Sequence, residues 1–430
     1  MNEVKTHLRR RCIKMDLLKD AAANKLRKTG EKKKLSIKNQ INNNYDVYEI
    51  PLDCLYYNDQ NGRINTLYKK YSATNGIIKP EPGDSEYNKI FEQLIYESNP
   101  QAMESTKQSI DEKSQQEPGV VLSDGRVIDG NRRFTALRML ERERNIPQYF
   151  NAVILPLDAE CENDKKLIKE LELDLQIGHE EKVSYDPIDR IFDAYNTIKI
   201  EKIMSSEEYK KACGFKSTKG INRDIRLAEL IIRFIEIVSP EGNPIDKFYL
   251  ARDLKLDGPI EEIEREISKS DPNNRESIKD AVLVHLISSK VVEDIDAPTQ
   301  IMRDFKNNII KDHDRLQYFL DSADDKIDVI IDTFKDNPIQ SANQLKTVVN
   351  ENNEARESVV KLLSSTDRLI NKGKFENERI KALIALENVS DSLSEIDIED
   401  FSDLKDEERL EAKKIMSEIR EALFKIQKEL

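Results

Sequence analysis

A short stretch in the first third of the chain, residues 120–140, constrains the fold more than any other. Its sequence, VVLSDGRVIDGNRRFTALRML, places an Asp-Gly pair between two apolar runs. That arrangement is typical of a tight β-hairpin. Gly130 then ends the strand pattern, and Phe134, Leu137 and Leu140 fall on one face of a helix. The stretch therefore predicts a hairpin, a glycine turn and a helix, in that order.

Two arginines, Arg132 and Arg133, lie in the predicted first turn of that helix. The first turn has unpaired backbone N–H groups and the positive end of the helix dipole, so it favours an anion and disfavours added cations. Cations at this position indicate a phosphate site, in which a bound anion resolves the conflict. The alternative is that Asp129 pairs with one arginine and caps the helix, while the other arginine points to water.

The eight residues 130–137, GNRRFTAL, resemble the Gly-Glu-Arg-Arg-aromatic-x-Ala signature of the ParB/sulfiredoxin superfamily. In ParB partition proteins that loop and helix hold the phosphates of CTP. The resemblance implies that Gly130, Asn131, Arg132 and Arg133 bind a nucleoside triphosphate, with CTP as the candidate and Mg²⁺ as its companion. Sulfiredoxin activity is not expected, because that family has a cysteine where this chain has Asn131.

An upstream segment, residues 50–63, is similar in order and length to the strand and Asn-Pro-x-Gln-Pro-Arg loop that open the superfamily domain, although both prolines are missing. The resemblance makes Arg63 a second nucleotide contact; a plain loop arginine is the alternative. Downstream, residues 150–156 are almost continuously apolar, which predicts a strand buried on both faces.

A second family segment is matched in part by residues 178–189. The family has Glu-Asn-x-Gln-Arg followed by Asn-Pro-x-Glu-x-Ala, and the second half is matched by Asp186, which predicts a helix cap, and Pro187, which predicts the first helical position. The first half is replaced by His179, Glu180, Glu181 and Lys182. No magnesium ligand or hydrolytic group is therefore assigned.

Carboxylates near the signature are the candidates for catalysis. An enzyme on this fold predicts a carboxylate cluster, for which Asp129, Glu172 and Glu181 are available, with Asp129 and Glu181 as the catalytic candidates. His179 beside two glutamates is not a metal site by itself. Measuring DNA cleavage and nucleotide hydrolysis with Asp129→Ala separates an enzyme from a pure binding protein.

Residues 206–232 carry the pattern of a helix-turn-helix, with helices expected at 207–213 and 217–232 around a Gly214-Phe215 turn. Many helical hairpins share this pattern, but in partition proteins a helix-turn-helix directly follows the second segment. Polar residues early in the second helix are the ones that enter a major groove. The predicted DNA contacts are Lys216, Ser217, Thr218, Lys219, Asn222 and Arg223.

Charge is unevenly distributed along the 430 residues, whose net charge is -13. Residues 1–40 contain 13 Lys or Arg and 4 acids, which indicates a basic arm that touches nucleic acid or a solvated leader. Residues 391–410 contain nine acids and two bases, so this part should avoid DNA. Four separated cysteines indicate neither a disulfide framework nor a zinc site. With no apolar run long enough for a membrane span and no apolar signal core, we expect a cytosolic protein.

From residue 240 onward the pattern is helical, and residues 407–430 carry a single apolar stripe. With fewer than four clean heptads, the stripe is predicted to pack within its own bundle, and a homodimer through C-terminal helices is the open alternative. We predict an α+β protein: a basic arm (1–44), with order beginning at Tyr45; a ParB/sulfiredoxin-like α/β domain (45–200); a helix-turn-helix (201–238); and an all-α C-terminal region (239–430).

The expected function is that of a bacterial or mobile-element ParB-like protein of partition or regulatory type, which binds a nucleotide and DNA. Two alternatives remain open. One is a ParB-like nuclease or nucleotide-dependent enzyme in a phage-defence or mobile-element system. The other is an interaction scaffold whose nucleotide pocket is vestigial.

Overall fold

The computed structural model describes residues 16–35, 37, 43–80, 84–178, 186–292, 297–379 and 381–429. Within these ranges a six-stranded mixed sheet has the order β1-β2-β6-β4-β5-β3. The strands are β1 (Arg27–Lys34), β2 (Asn44–Pro51), β3 (Tyr56–Tyr57), β4 (Gly119–Leu122), β5 (Arg126–Asp129) and β6 (Tyr149–Leu155). The β4–β6 and β3–β5 pairs are parallel, and the other pairs are antiparallel.

Helices cover both faces of the sheet. They are α1 (Leu17–Ala22), α2 (Asn65–Asn75), α3 (Ser85–Ser98), α4 (Pro100–Lys113), α5 (Asn131–Arg144) and α6 (Glu162–Leu173). Phe150 and Ile154 of β6 pack with Phe134 of α5 on one face, whereas Leu155 packs with Leu171 of α6 on the other. The predicted strand at 150–156 is confirmed, and its continuous apolar run reflects burial on both faces.

The N-terminal segment is part of the sheet, and the prediction that order begins at Tyr45 is wrong. Strand β1 pairs with β2, and Lys28 donates to Asp46 at 2.8 Å. Arg27 lies opposite Glu49, with a 3.4 Å ion pair. Acidic residues of β2 therefore neutralise part of the charge that the sequence indicated as a basic arm, and opposite charges across strands favour the pairing.

The second half of the chain is helical. Its helices are α7 (Pro187–Tyr195), α8 (Ser206–Ala212), α9 (Lys219–Val238), α10 (Tyr249–Asp253), α11 (Asp257–Lys269), α12 (Arg275–Val292), α13 (Pro298–Phe305), α14 (His313–Asp336), α15 (Gln344–Glu351), α16 (Asn353–Arg379), α17 (Lys381–Glu395) and α18 (Asp406–Glu429). One hydrophobic core joins α7 and α9 to helices α10–α16, and Phe192 and Phe248 meet edge to face at 5.1 Å. The predicted α+β class is confirmed, while the division at residue 238 stays a prediction.

The terminal helix α18 differs from expectation. Its described side chains include no buried residue, so the prediction that its apolar stripe packs within its own bundle is wrong there. Dimerisation through this helix stays a prediction. Among all the helices that the structure describes, none is both long enough and apolar enough to cross a bilayer.

Candidate functional site

The signature loop folds as the sequence predicts. Strands β4 and β5 form an antiparallel hairpin, and helix α5 follows directly after Gly130. Gly130 has φ of +94°, in the left-handed region, and a Cβ there would lie 2.8 Å from Cζ of Phe150. Glycine is therefore required. No side chain caps the first turn of α5, so its backbone N–H groups are not satisfied by a capping residue.

A cavity of about 510 Å³ lies at the start of α5. Its walls include hydroxyl-bearing side chains at the end of α3 and along α4, namely Ser98, Ser105 and Ser109. The cavity also brings together every residue that the sequence assigned to phosphate binding: Arg63, Gly130, Asn131, Arg132 and Arg133. Residues far apart in the chain thus form one cationic concave surface, with hydroxyl groups on another wall.

Asn131 is the first residue of α5, and its side chain is almost fully buried, with 8% exposure. Its Oδ1 is buried with no hydrogen-bond partner in the described structure. A buried acceptor without a donor is unfavourable. Because Asn131 lines the cavity, a ligand hydroxyl group or a bound cation is suited to satisfy it.

Asp129 is held by two cations. Its Oδ2 accepts from Nη2 of Arg133 at 3.1 Å and from Nζ of Lys33 at 3.3 Å. Lys33 also donates to the carbonyl oxygen of Pro118 at 2.6 Å. The sequence left open that Asp129 pairs with one arginine and caps α5. The pairing is present, with Arg133, but Asp129 does not cap the helix. The carboxylate positions Arg133 in this structure, and a catalytic role for Asp129 stays a prediction.

Helix α6 supports the loop that carries Arg63. The Glu172 carboxylate accepts from the backbone N–H of Gly62 at 3.4 Å and from the amide of Gln176 at 3.3 Å. Burial raises the pKa of Glu172. Nζ of Lys169 lies 3.6 Å from this carboxylate. The contacts fix the loop next to the cavity, so Glu172 has a positioning role here.

The sequence missed two residues of this site. Lys33 falls in a lysine run with no alternation of apolar and polar residues, so nothing marked it as a strand residue. Gln176 lines the cavity, whereas the family's Glu-Asn-x-Gln-Arg segment was placed at 179–182. Glu181 and the rest of 179–185 lie outside the described residues. Within the described ranges, no three His, Cys, Asp or Glu residues are grouped to hold a metal.

The predicted helix-turn-helix is formed by α8 and α9. A capping box at Ser205 and Glu208 starts α8, and Gly214, with φ of +70°, forms the turn. Helix α9 was expected at 217–232 and spans Lys219–Val238. It continues because its apolar face extends through the later residues into the large core, and it ends just before the Ser-Pro pair that follows.

The predicted DNA contacts lie together at the turn and the start of α9. The hydroxyl of Ser217 accepts from the backbone N–H of Lys219 at 3.2 Å, so Ser217 serves the helix start. Arg223 lies 3.6 Å from Glu261 and 3.9 Å from Glu264 of α11. Asn222 and Lys219 are exposed. Their role in DNA contact stays a prediction.

The fold and the cavity define an α+β protein with a cationic site at the start of a helix. No family model and no curated protein matches the chain. Among solved structures, it is similar to the C-terminally truncated chromosome-partitioning protein ParB of Caulobacter crescentus complexed to the centromeric parS site. The TM-score is 0.28 at 11% identity, covering 59% of this chain and 98% of that one.

A second solved structure, a Pnob8-like ParB-N domain, has a TM-score of 0.28 at 13% identity, and the match covers 56% of this chain and 93% of that one. The binding chemistry of the site follows from its own residues.

Proposed function

We propose that this chain is a ParB-like DNA-binding protein whose α/β domain binds a nucleoside triphosphate, with CTP as the first candidate. One observation carries the nucleotide part. Three arginines, Arg63, Arg132 and Arg133, converge with the uncapped start of α5 on one cavity. Guanidinium groups and helix N-termini are both suited to phosphate oxygens.

The volume of the cavity is suited to such a ligand. Its volume of about 510 Å³ is within the range of small-molecule sites. Gly130 lets the chain turn into α5 close against Phe150 and Arg133, where a Cβ has no room, and so places the start of this helix at the cavity. Among the described residues that line the cavity, the acids are Asp129 and Glu117, and Asp129 is already paired with Lys33 and Arg133. Mg²⁺ would therefore be bound mainly by the phosphates of the nucleotide.

The DNA part of the proposal rests on the turn and first turn of α9. Lys216, Lys219 and Asn222 supply side chains suited to phosphates and base edges at the position where a second helix enters a major groove. If the nucleotide and DNA each bind one of two arrangements of the protein more tightly than the other, binding of one ligand changes the affinity for the other.

Isothermal titration tests the nucleotide part. The full chain is titrated with CTP, ATP and GTP in the presence of Mg²⁺, and Arg132→Ala is expected to weaken binding by at least about tenfold. The matched control is Arg144→Ala, in the last turn of the same helix, which should bind as the parent does. Absence of binding by all three nucleotides to the parent chain overturns the nucleotide site.

A further inference from the structure

The acidic segment at residues 391–403 contacts the predicted DNA-reading helix. It contains six acids and no base. The segment begins in the last turns of α17 and continues into a 3-10 helix at Ile398–Asp403. In the sequence it stood out only as a region that should avoid DNA. In the structure it lies against the part of the chain for which DNA contact is proposed.

Two lysines of the helix-turn-helix have partners in this segment. Nζ of Lys219 lies 3.5 Å from the carboxylate of Asp397. Nζ of Lys216 donates to the hydroxyl of Ser402 at 3.4 Å. Both lysines belong to the predicted DNA contacts. The segment therefore places a carboxylate and a hydroxyl where phosphate oxygens would lie in a DNA complex.

Helix α11 anchors the segment. The guanidinium of Arg265 lies 3.3 Å from Asp391 and is also bonded to Glu395. The same helix supplies Glu261, 3.6 Å from Arg223. Helix α11 packs in the large core, so it holds the acidic segment at a fixed place beside α9. The acidic segment is thus fixed to α11 at one end, and at the other end it contacts the two predicted DNA-reading lysines.

We infer that segment 391–403 is an autoinhibitory cover that competes with DNA for the start of α9, an inference that rests on the proposed DNA-binding function. DNA phosphates and the acidic segment repel each other and would bind the same lysines, so both cannot occupy the start of α9 at once. The contacts that hold the cover are partly exposed ion pairs, and Lys219 is 65% exposed. Such pairs are individually weak, so a polyanion is able to displace them.

Fluorescence anisotropy with a duplex of two helical turns tests this inference on the full chain. The released variant is Asp391→Asn/Glu395→Gln/Asp397→Asn, and we expect its Kd for DNA to fall by about tenfold or more at low salt. Its charge-matched control is Glu411→Gln/Glu418→Gln/Glu421→Gln on α18. Circular dichroism verifies that each variant is folded.

Arg265→Ala separates release from net charge. It removes a positive charge, which by itself weakens DNA binding, so tighter binding by this variant supports release of the cover. If the α18 control gains as much as the released variant and Arg265→Ala gains nothing, the cover is overturned and DNA binding stands. If Lys219→Ala leaves the released variant's DNA affinity unchanged, the proposed DNA surface fails, and the cover with it.

Discussion

Nζ of Lys33 and Oδ2 of Asp129 lie 3.3 Å apart, although 96 positions separate the two residues in sequence. Both side chains are largely buried. The contact joins edge strand β1 to the residue just before the signature loop. A segment that the sequence indicated as a loose basic arm is therefore part of the surroundings of the candidate nucleotide site.

Lys33→Met should weaken nucleotide binding. Asp129 then keeps only the Arg133 partner seen here, and the surroundings of the cavity lose one positive charge. A charge removed near a ligand changes its binding free energy by about 1 kcal/mol, which corresponds to roughly a fivefold rise in Kd. The matched control is Lys32→Met on the same strand, whose side chain is 65% exposed and lies 3.8 Å from Asp46. Titration with Mg²⁺ and CTP measures both; equal affinities for the two variants contradict the prediction.

Gly130→Ala should destabilise the protein by about 2 kcal/mol, because alanine is strained at this left-handed φ and its Cβ has no room beside Phe150. Gly220 in α9 is the control, since it has no positive φ and open space around its Cβ position. There we expect Gly220→Ala to stabilise by up to about 1 kcal/mol. Urea unfolding gives both changes, and a Gly130→Ala midpoint equal to that of the parent contradicts the prediction.

His285→Leu should lose less stability than the parent protein as the pH falls into the acid range. His285 is buried against Phe305, and burial lowers its pKa to about 3. The unfolded chain takes up this proton below about pH 6.5, whereas the folded protein does not, so stability present above that pH is lost as the pH falls. The loss approaches about 1.4 kcal/mol per pH unit. Urea unfolding at about pH 5 and pH 7 measures it; exposed His313→Gln is the control and should behave as the parent does.

Asp189→Asn should change the pH dependence of the free energy of unfolding in the direction opposite to that of His285→Leu. Asp189 is buried, accepts from the hydroxyl of Thr66 at 2.6 Å and lies 2.9 Å from Nη1 of Arg252. Burial raises its pKa to about 7, with Arg252 opposing that shift. Between about pH 4 and pH 7 the folded protein holds a proton that the unfolded chain does not, so this group's contribution to stability falls as the pH rises.

In the parent, the contributions of Asp189 and His285 therefore oppose each other over much of the same pH range. Asp189→Asn should lose more stability between pH 7 and pH 5 than the parent does. Urea unfolding at the two pH values tests this, because the difference between them cancels any effect of the substitution that does not depend on pH. An unchanged difference shows that Asp189 does not titrate as stated.

Local chemistry explains which parts of the site the sequence predicts. The hairpin, the turn at Gly130 and helix α5 follow from an Asp-Gly pair, a glycine and an apolar period within one stretch. Arg63 was placed at the site only through the family resemblance. Lys33 could not be placed, because its contact with Asp129 depends on the register of β1 against β2, which Asp46 and Glu49 help to set across the strands.

Helix α9 is shared by two cores. Ile221 and Ile225 of its first turns pack in the small core of the helix-turn-helix, and Phe234 and Val238 near its end pack in the large helical core. Its 20 residues form a stiff rod about 30 Å long. A displacement at its start must either tilt the whole rod or break backbone hydrogen bonds. The proposed DNA-reading surface is thus mechanically linked to the C-terminal helices, and substitutions deep in that core should alter its orientation without touching it.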